Sequence, residues 1–172
     1  MKLKLLILAF MVIIVAVSVI SLVMVLHTSS GKFISTSALD SKLGGRWTLV
    51  NEGYISDPTG VSPIIEMLSN SSMRTLYASY YSPEVNLTIL VFQYASTSHL
   101  PKVVSLIGGI YRELNWSVRN VTGQVNGICV GSTHYQYLYA YYKNYIILVV
   151  LNGTVRPNES LEVASLQQQA LG

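Results

Sequence analysis

Residues Leu5 to Leu26 form an unbroken run of 22 positions without a charged side chain, relieved only by Ser18 and Ser21. A bilayer's hydrocarbon core is roughly 30 Å thick and takes about 20 helical residues at about 1.5 Å each. The run meets that length with room for tilt, whereas the apolar part of a cleaved secretory signal holds roughly 7 to 15 residues. Ala16-Val17-Ser18 has the small-x-small form of a cleavage site, but cutting there would start the mature chain on apolar Val19, Ile20, Leu22 and Val23. The expectation is therefore a retained signal anchor. Lys2 and Lys4 precede it and orient the N-terminus to the cytoplasm by the positive-inside bias. This divides the chain into a cytoplasmic end (1–4), a transmembrane helix (5–26), a Ser/Gly/Lys-rich tether (27–35) and an extracellular domain (36–172).

The anchor also explains the composition. The 172-residue chain is 51% hydrophobic and 11% charged, with mean hydropathy +0.44, against about 25% charged residues in ordinary soluble domains. Much of the apolar excess lies in Leu5 to Leu26, but the charge deficit continues beyond it. From His27 onward nine Lys or Arg face eight Asp or Glu, with no basic run or stripe. The footprint of nucleic-acid binding is missing, so no nucleic-acid partner is expected.

Asn-x-Ser/Thr occurs at Asn70, Asn86, Asn115, Asn120, Asn152 and Asn158, six of the nine asparagines. At this Ser and Thr content chance gives about one or two, so the sequons are an excess that reads as N-glycosylation. All six lie beyond the anchor, on the side the lysines assign to the exterior. Cys129 is the single cysteine, which excludes an intramolecular disulfide. Many sequons, few charges and one unpaired cysteine together resemble the composition of archaeal cell-surface proteins. Archaeal-type pilins also begin with a basic segment and a long apolar helix. Met1-Lys2-Leu3-Lys4-Leu5, however, lacks the small residue that family carries before the run.

Within the domain, Thr36 or Ser37 caps a short helix over Ala38–Leu43 that Gly44-Gly45 ends. Arg46 to Ile55 reads as a strand, and Asp57-Pro58-Thr59-Gly60 as a turn. Ser62-Pro63 opens a helix through Leu68. Met73 to Tyr81 is strand-like, and Asn86 to Ala95 is apolar on both faces, as a central strand would be. Ser96-Thr97-Ser98 precedes the best helix, whose Leu100, Val103, Val104, Ile107, Ile110, Tyr111 and Leu114 follow i, i+3, i+4, i+7 spacing. Strands over Trp116–Thr122 and Gly127–Thr133 follow. Next comes a hairpin of Tyr135–Tyr142 with Tyr145–Leu151, turned by Lys143-Asn144, and then a last helix over Leu161–Leu171. The sum is an α+β, two-layer domain: a mostly antiparallel sheet with two main helices on one face.

Candidate chemistry is sparse. Six of twelve tyrosines fall between 135 and 145, and Tyr135, Tyr137, Tyr139 and Tyr141 share one strand face. They form either a flat aromatic surface for a protein or sugar, or a ladder that packs beneath the helices. Cys129, His134, His99 and Gln136 form a set that could be read as a blue-copper site, but their order along the chain departs from that pattern. Ser132 and His134 share a face without an oriented carboxylate, and there is no G-x-S-x-G elbow. The acidic residues are scattered singly. No catalytic residue, metal or cofactor is expected. The function class is a membrane-anchored surface protein in a non-catalytic binding or accessory role, with a protein partner in a membrane or envelope complex. The alternative is a filament or surface-lattice subunit released by cleavage after Ser18.

Overall fold

A computed structural model describes residues 32–172. The anchor, Lys2, Lys4 and the Ser18 site lie outside them. Among the described residues no helix is long and apolar enough to cross a membrane. The elements run α1 (Thr36–Leu43), β1 (Thr48–Tyr54), α2 (Pro63–Ser71), β2 (Arg74–Tyr81), β3 (Val85–Gln93), α3 (Leu100–Glu113), β4 (Val118–Val121), β5 (Asn126–Gly131), β6 (Tyr135–Tyr142), β7 (Tyr145–Gly153) and α4 (Glu159–Leu171). The class is α+β, as expected, with one fully antiparallel seven-stranded sheet and four helices.

Strand order is β1-β2-β3-β7-β6-β5-β4. Two meanders, β1–β3 and β4–β7, are thus joined along their last strands, with β3 and β7 at the centre. The Lys143-Asn144 turn is formed, with Lys143 at φ 51° and Tyr142 opposite Tyr145. Ser62 caps α2 by accepting a hydrogen bond from the Ile65 amide, with Pro63 at the first helical position.

The helices lie on both faces of the sheet, where the sequence reading put them on one. Leu87, Ile89 and Val91 of β3 pack with Leu39 and Leu43 of α1 and Val163 and Ala164 of α4. Leu90 and Phe92 point the other way, to Ile65 and Leu68 of α2 and Leu100, Val104, Ile107 and Tyr111 of α3. The physical reason is already in β3: a strand apolar on both faces exposes one of them unless both are covered.

Three local expectations change. Ser35, not Thr36 or Ser37, caps α1. α3 begins after His99, whose side chain makes no capping bond, so the serines before it are not used as caps. The tether is also shorter than expected, because Phe33 and Ile34 are buried in the α1/α4 core. The Tyr80 hydroxyl donates to the Ile34 carbonyl at 2.8 Å, and the Gln167 amide to the Lys32 carbonyl at 2.8 Å. Apolar side chains at 33 and 34 gain more by burial than a solvated leash would allow.

Candidate functional site

The period of two sends Tyr135, Tyr137, Tyr139 and Tyr141 of β6 to the α2/α3 face, while Leu138, Ala140 and Tyr142 face α1/α4. Tyr137 and Tyr139 are buried. Their rings meet Tyr111 of α3 at centroid distances of 6.4 and 6.0 Å, and the Tyr111 and Tyr139 hydroxyls are 2.9 Å apart. Trp116 closes the cluster against Tyr111 (5.7 Å) and Tyr135 (5.6 Å). Burial raises the Tyr111 hydroxyl to about 12, and pushes Tyr139 well above its ordinary value with help from the neighbouring Tyr111. The middle of the ladder is thus core beneath α3. Of the four, only Tyr135 is exposed; Tyr141 is half-buried.

The sequon asparagines are on the surface. Asn70, Asn86, Asn115, Asn120 and Asn158 are exposed and Asn152 is half-buried. Asn70 lies in the last turn of α2, and Asn115 follows α3 in the left-handed region at φ 62°. Asn120, on β4, accepts a hydrogen bond from Arg112 at 3.1 Å. The remaining hydroxyl of interest is that of Ser160 in the Asn158 sequon, which is fully buried and donates to Gln136 Oε1 at 2.9 Å.

Sheet register creates one arrangement that no stretch of sequence displays. Tyr81 pairs with Asn86, Asn86 with Asn152, and Asn152 with Tyr135. These four positions form a single cross-strand row, Tyr–Asn–Asn–Tyr, on the α2/α3 face. Both tyrosines are exposed, Tyr81 at 50% and Tyr135 at 39%. α2 covers Tyr77 and Phe92 nearer the other end of these strands, and α3 covers Ile128 and Tyr139. The next row inward includes Ser79, Thr88 and Val150, all half-buried. Tyr81 was not singled out from the sequence. The row as a whole depends on the β3–β7 pairing, which joins Asn86 to Asn152, 66 positions apart in sequence.

Of the residues weighed for catalysis or metal binding, Cys129 and Gln136 meet at the Ser160 hydroxyl, while His99 and His134 stand apart from them. Cys129 is buried on the α1/α4 face, 3.8 Å from the Ser160 hydroxyl. His99 packs edge-on against Tyr94 on the opposite face, and His134 is exposed in the β5–β6 turn. The Ser132 hydroxyl accepts from the His134 backbone amide at 3.2 Å and so builds that turn. Asp40 accepts from the Trp47 amide at 2.8 Å. Asp57 accepts from the Thr59 amide at 2.9 Å, and the Thr59 hydroxyl together with that amide holds its carboxyl below the usual range. Among the described residues no three His, Cys, Asp or Glu side chains gather. Two shallow grooves flank α4. One runs by Trp47, Glu84 and Arg156, where the buried Glu159 carboxylate accepts from the Arg156 amide at 2.8 Å; the other runs by Lys42, Gln124 and Leu166.

No family model and no curated protein matches the chain. Its fold is similar to the crystal structure of the extracellular domain of PknH from Mycobacterium tuberculosis. The two share a TM-score of 0.59 at 12% identity, over 84% of this chain and 97% of that one. At that identity the likeness is one of fold.

Proposed function

We propose that the chain is a single-pass, membrane-anchored, N-glycosylated cell-surface protein. Its domain serves outside the cell as a non-catalytic binding or accessory subunit of a membrane or envelope complex. The observation that carries the reading is the placement of the six sequon asparagines. Five are exposed and one half-buried, with none in either core, and all follow an apolar run long enough to anchor the chain with its lysines inside. The structural neighbour is an extracellular domain, which agrees with placing this fold outside the cell. Of the polar side chains considered for chemistry, Ser132 builds a turn, Gln136 accepts from Ser160, Cys129 is buried in the α1/α4 core and His99 packs on Tyr94.

Protease added to intact cells tests the topology: digestion of the domain from outside is expected, and full protection would refute the reading. Pull-down of the full chain from solubilised membranes tests the role. A strictly monomeric species without a co-purifying protein would overturn an accessory subunit. The filament alternative has one structural handle: β1 is an edge strand whose Val50, at a register shift, is 65% exposed. A mature N-terminus at Val19 in assembled fibres would favour it.

A further inference from the structure

We infer that the open end of the sheet on the α2/α3 face is a seat for the chain's own carbohydrate, carried on Asn86 and Asn152 and packed against Tyr81 and Tyr135. The inference rests on the glycosylated reading above and adds where two of the sugars lie and what holds them. Strands are about 4.8 Å apart, so the row from Tyr81 through Asn86 and Asn152 to Tyr135 spans about 14 Å, three strand steps. A pyranose ring is about as wide as one step. Two first sugars standing on neighbouring strands therefore fill the row, each with a tyrosine on its outer side.

The chemistry of the row fits this occupant. A pyranose has a face of C–H bonds that packs on an aromatic ring, and a rim of hydroxyls that bonds to phenols and hydroxyl side chains. Tyr supplies both kinds of surface at low entropy cost. Tyr81 and Tyr135 stay exposed at an end of the sheet the helices leave open, while Tyr77, Tyr137 and Tyr139 further along are buried. Ser79 and Thr88, whose hydroxyls lie 3.4 Å apart, form the polar floor beside the row. Thr88 and Thr154 supply the sequon hydroxyls, and Thr154 is exposed.

The attachment needs a lipid-linked oligosaccharide, a polyprenyl phosphate or diphosphate sugar, and a membrane glycosyltransferase. The side-chain amide nitrogen of Asn86 or Asn152 attacks the anomeric carbon. The bond from that carbon to the phosphate oxygen breaks, a nitrogen–carbon bond forms, the proton lost by the nitrogen passes through a transferase base to the departing phosphate, and polyprenyl phosphate or diphosphate leaves, according to the donor. Neither strand is free to enter a transferase once paired in the sheet, so transfer precedes folding and the sugars settle on the tyrosines as β3 and β7 pair.

The test uses the full chain made in a host with its own N-glycosylation. Glycopeptide mass spectrometry is expected to find sugar on Asn86 and Asn152. Tyr81→Ala and Tyr135→Ala should each lower the thermal midpoint of the glycosylated chain by about 2–4 °C more than they lower that of the sugarless Asn86→Gln/Asn152→Gln chain. Equal effects in the two backgrounds would overturn the seat. Sugar on Asn70, Asn115, Asn120 or Asn158 with none on Asn86 or Asn152 would overturn it too, while leaving the external location standing. No sugar on any of the six would remove the glycosylated reading itself. A protein that co-purifies with the sugarless chain and is lost on Tyr81→Ala would identify the row as a protein contact and overturn the inference.

Discussion

Tyr111 and Tyr139 show how a residue's surroundings decide between a surface and a core role. Each hydroxyl is buried and has the other as its partner at 2.9 Å. Tyr111→Phe strands the Tyr139 hydroxyl and should cost about 1–3 kcal/mol in urea unfolding, with Tyr139→Phe behaving alike. The double variant should cost less than the sum of the two, because it leaves neither hydroxyl without a partner. The same burial makes the domain sensitive to alkali. Burial raises Tyr77, Tyr80, Tyr94, Tyr111, Tyr137 and Tyr139 above their ordinary value near 10. A group raised in the folded state binds its proton more tightly there, so its stabilisation is full below pH 10 and is lost as pH rises through the folded value. For Tyr111 that window runs from about 10 to about 12. Absorbance titration of tyrosinate should show these groups ionising together with loss of the circular dichroism signal. Smooth ionisation of every tyrosine at 10 in a folded chain would refute the buried ladder. The face shared by Tyr135, Tyr137, Tyr139 and Tyr141 was legible from the period of two, and a ladder packed beneath helices was one of its two readings; that the cover is α3, and that it stops short of Tyr135, was not, because that depends on tertiary packing.

Among the elements, β3 was the most legible and the most consequential. Its apolar residues on both faces announced a central strand, and that requirement accounts for helices on both sides of the sheet. Leu90→Ala should cost about 2–5 kcal/mol, since Leu90 is 1% exposed and a cavity there cannot collapse easily between packed layers. The comparison is Val50 on the β1 edge, where truncation to Ala should change stability by less than ~0.5 kcal/mol. Helix ends were less uniform. Ser62 before Pro63 was readable and its loss to Ala should cost about 1 kcal/mol. The Ser96-Thr97-Ser98 signal misled because the chain enters α3 through His99 in a helical conformation, leaving those hydroxyls outside capping reach. The β3–β7 ladder was invisible, since antiparallel register between distant strands leaves no local trace. The Tyr–Asn–Asn–Tyr row was hidden with it.

At the scale of the molecule, two meanders share one central ladder between β3 and β7. Amide hydrogen exchange should therefore be slowest in β3 and β7 and fastest in the edge strands β1 and β4. The reverse order would mean that the meanders open independently. Folding should be slow for a domain of this size, because joining the meanders closes a long loop before the ladder can form. The entry of the chain into the domain carries a mechanical consequence. Lys32 and Ile34 are pinned by Gln167 of α4 and Tyr80 of β2, and only residues 27–31 separate them from the proposed anchor. Five residues reach at most about 18 Å when fully extended, so a domain anchored as proposed would have little freedom to swing away from the bilayer. In a chain anchored and partnered as proposed, a pull between membrane and partner would load those two hydrogen bonds and the seating of Phe33 first. α1 is then the part that peels, and the β3–β7 ladder the part that bears the remaining force.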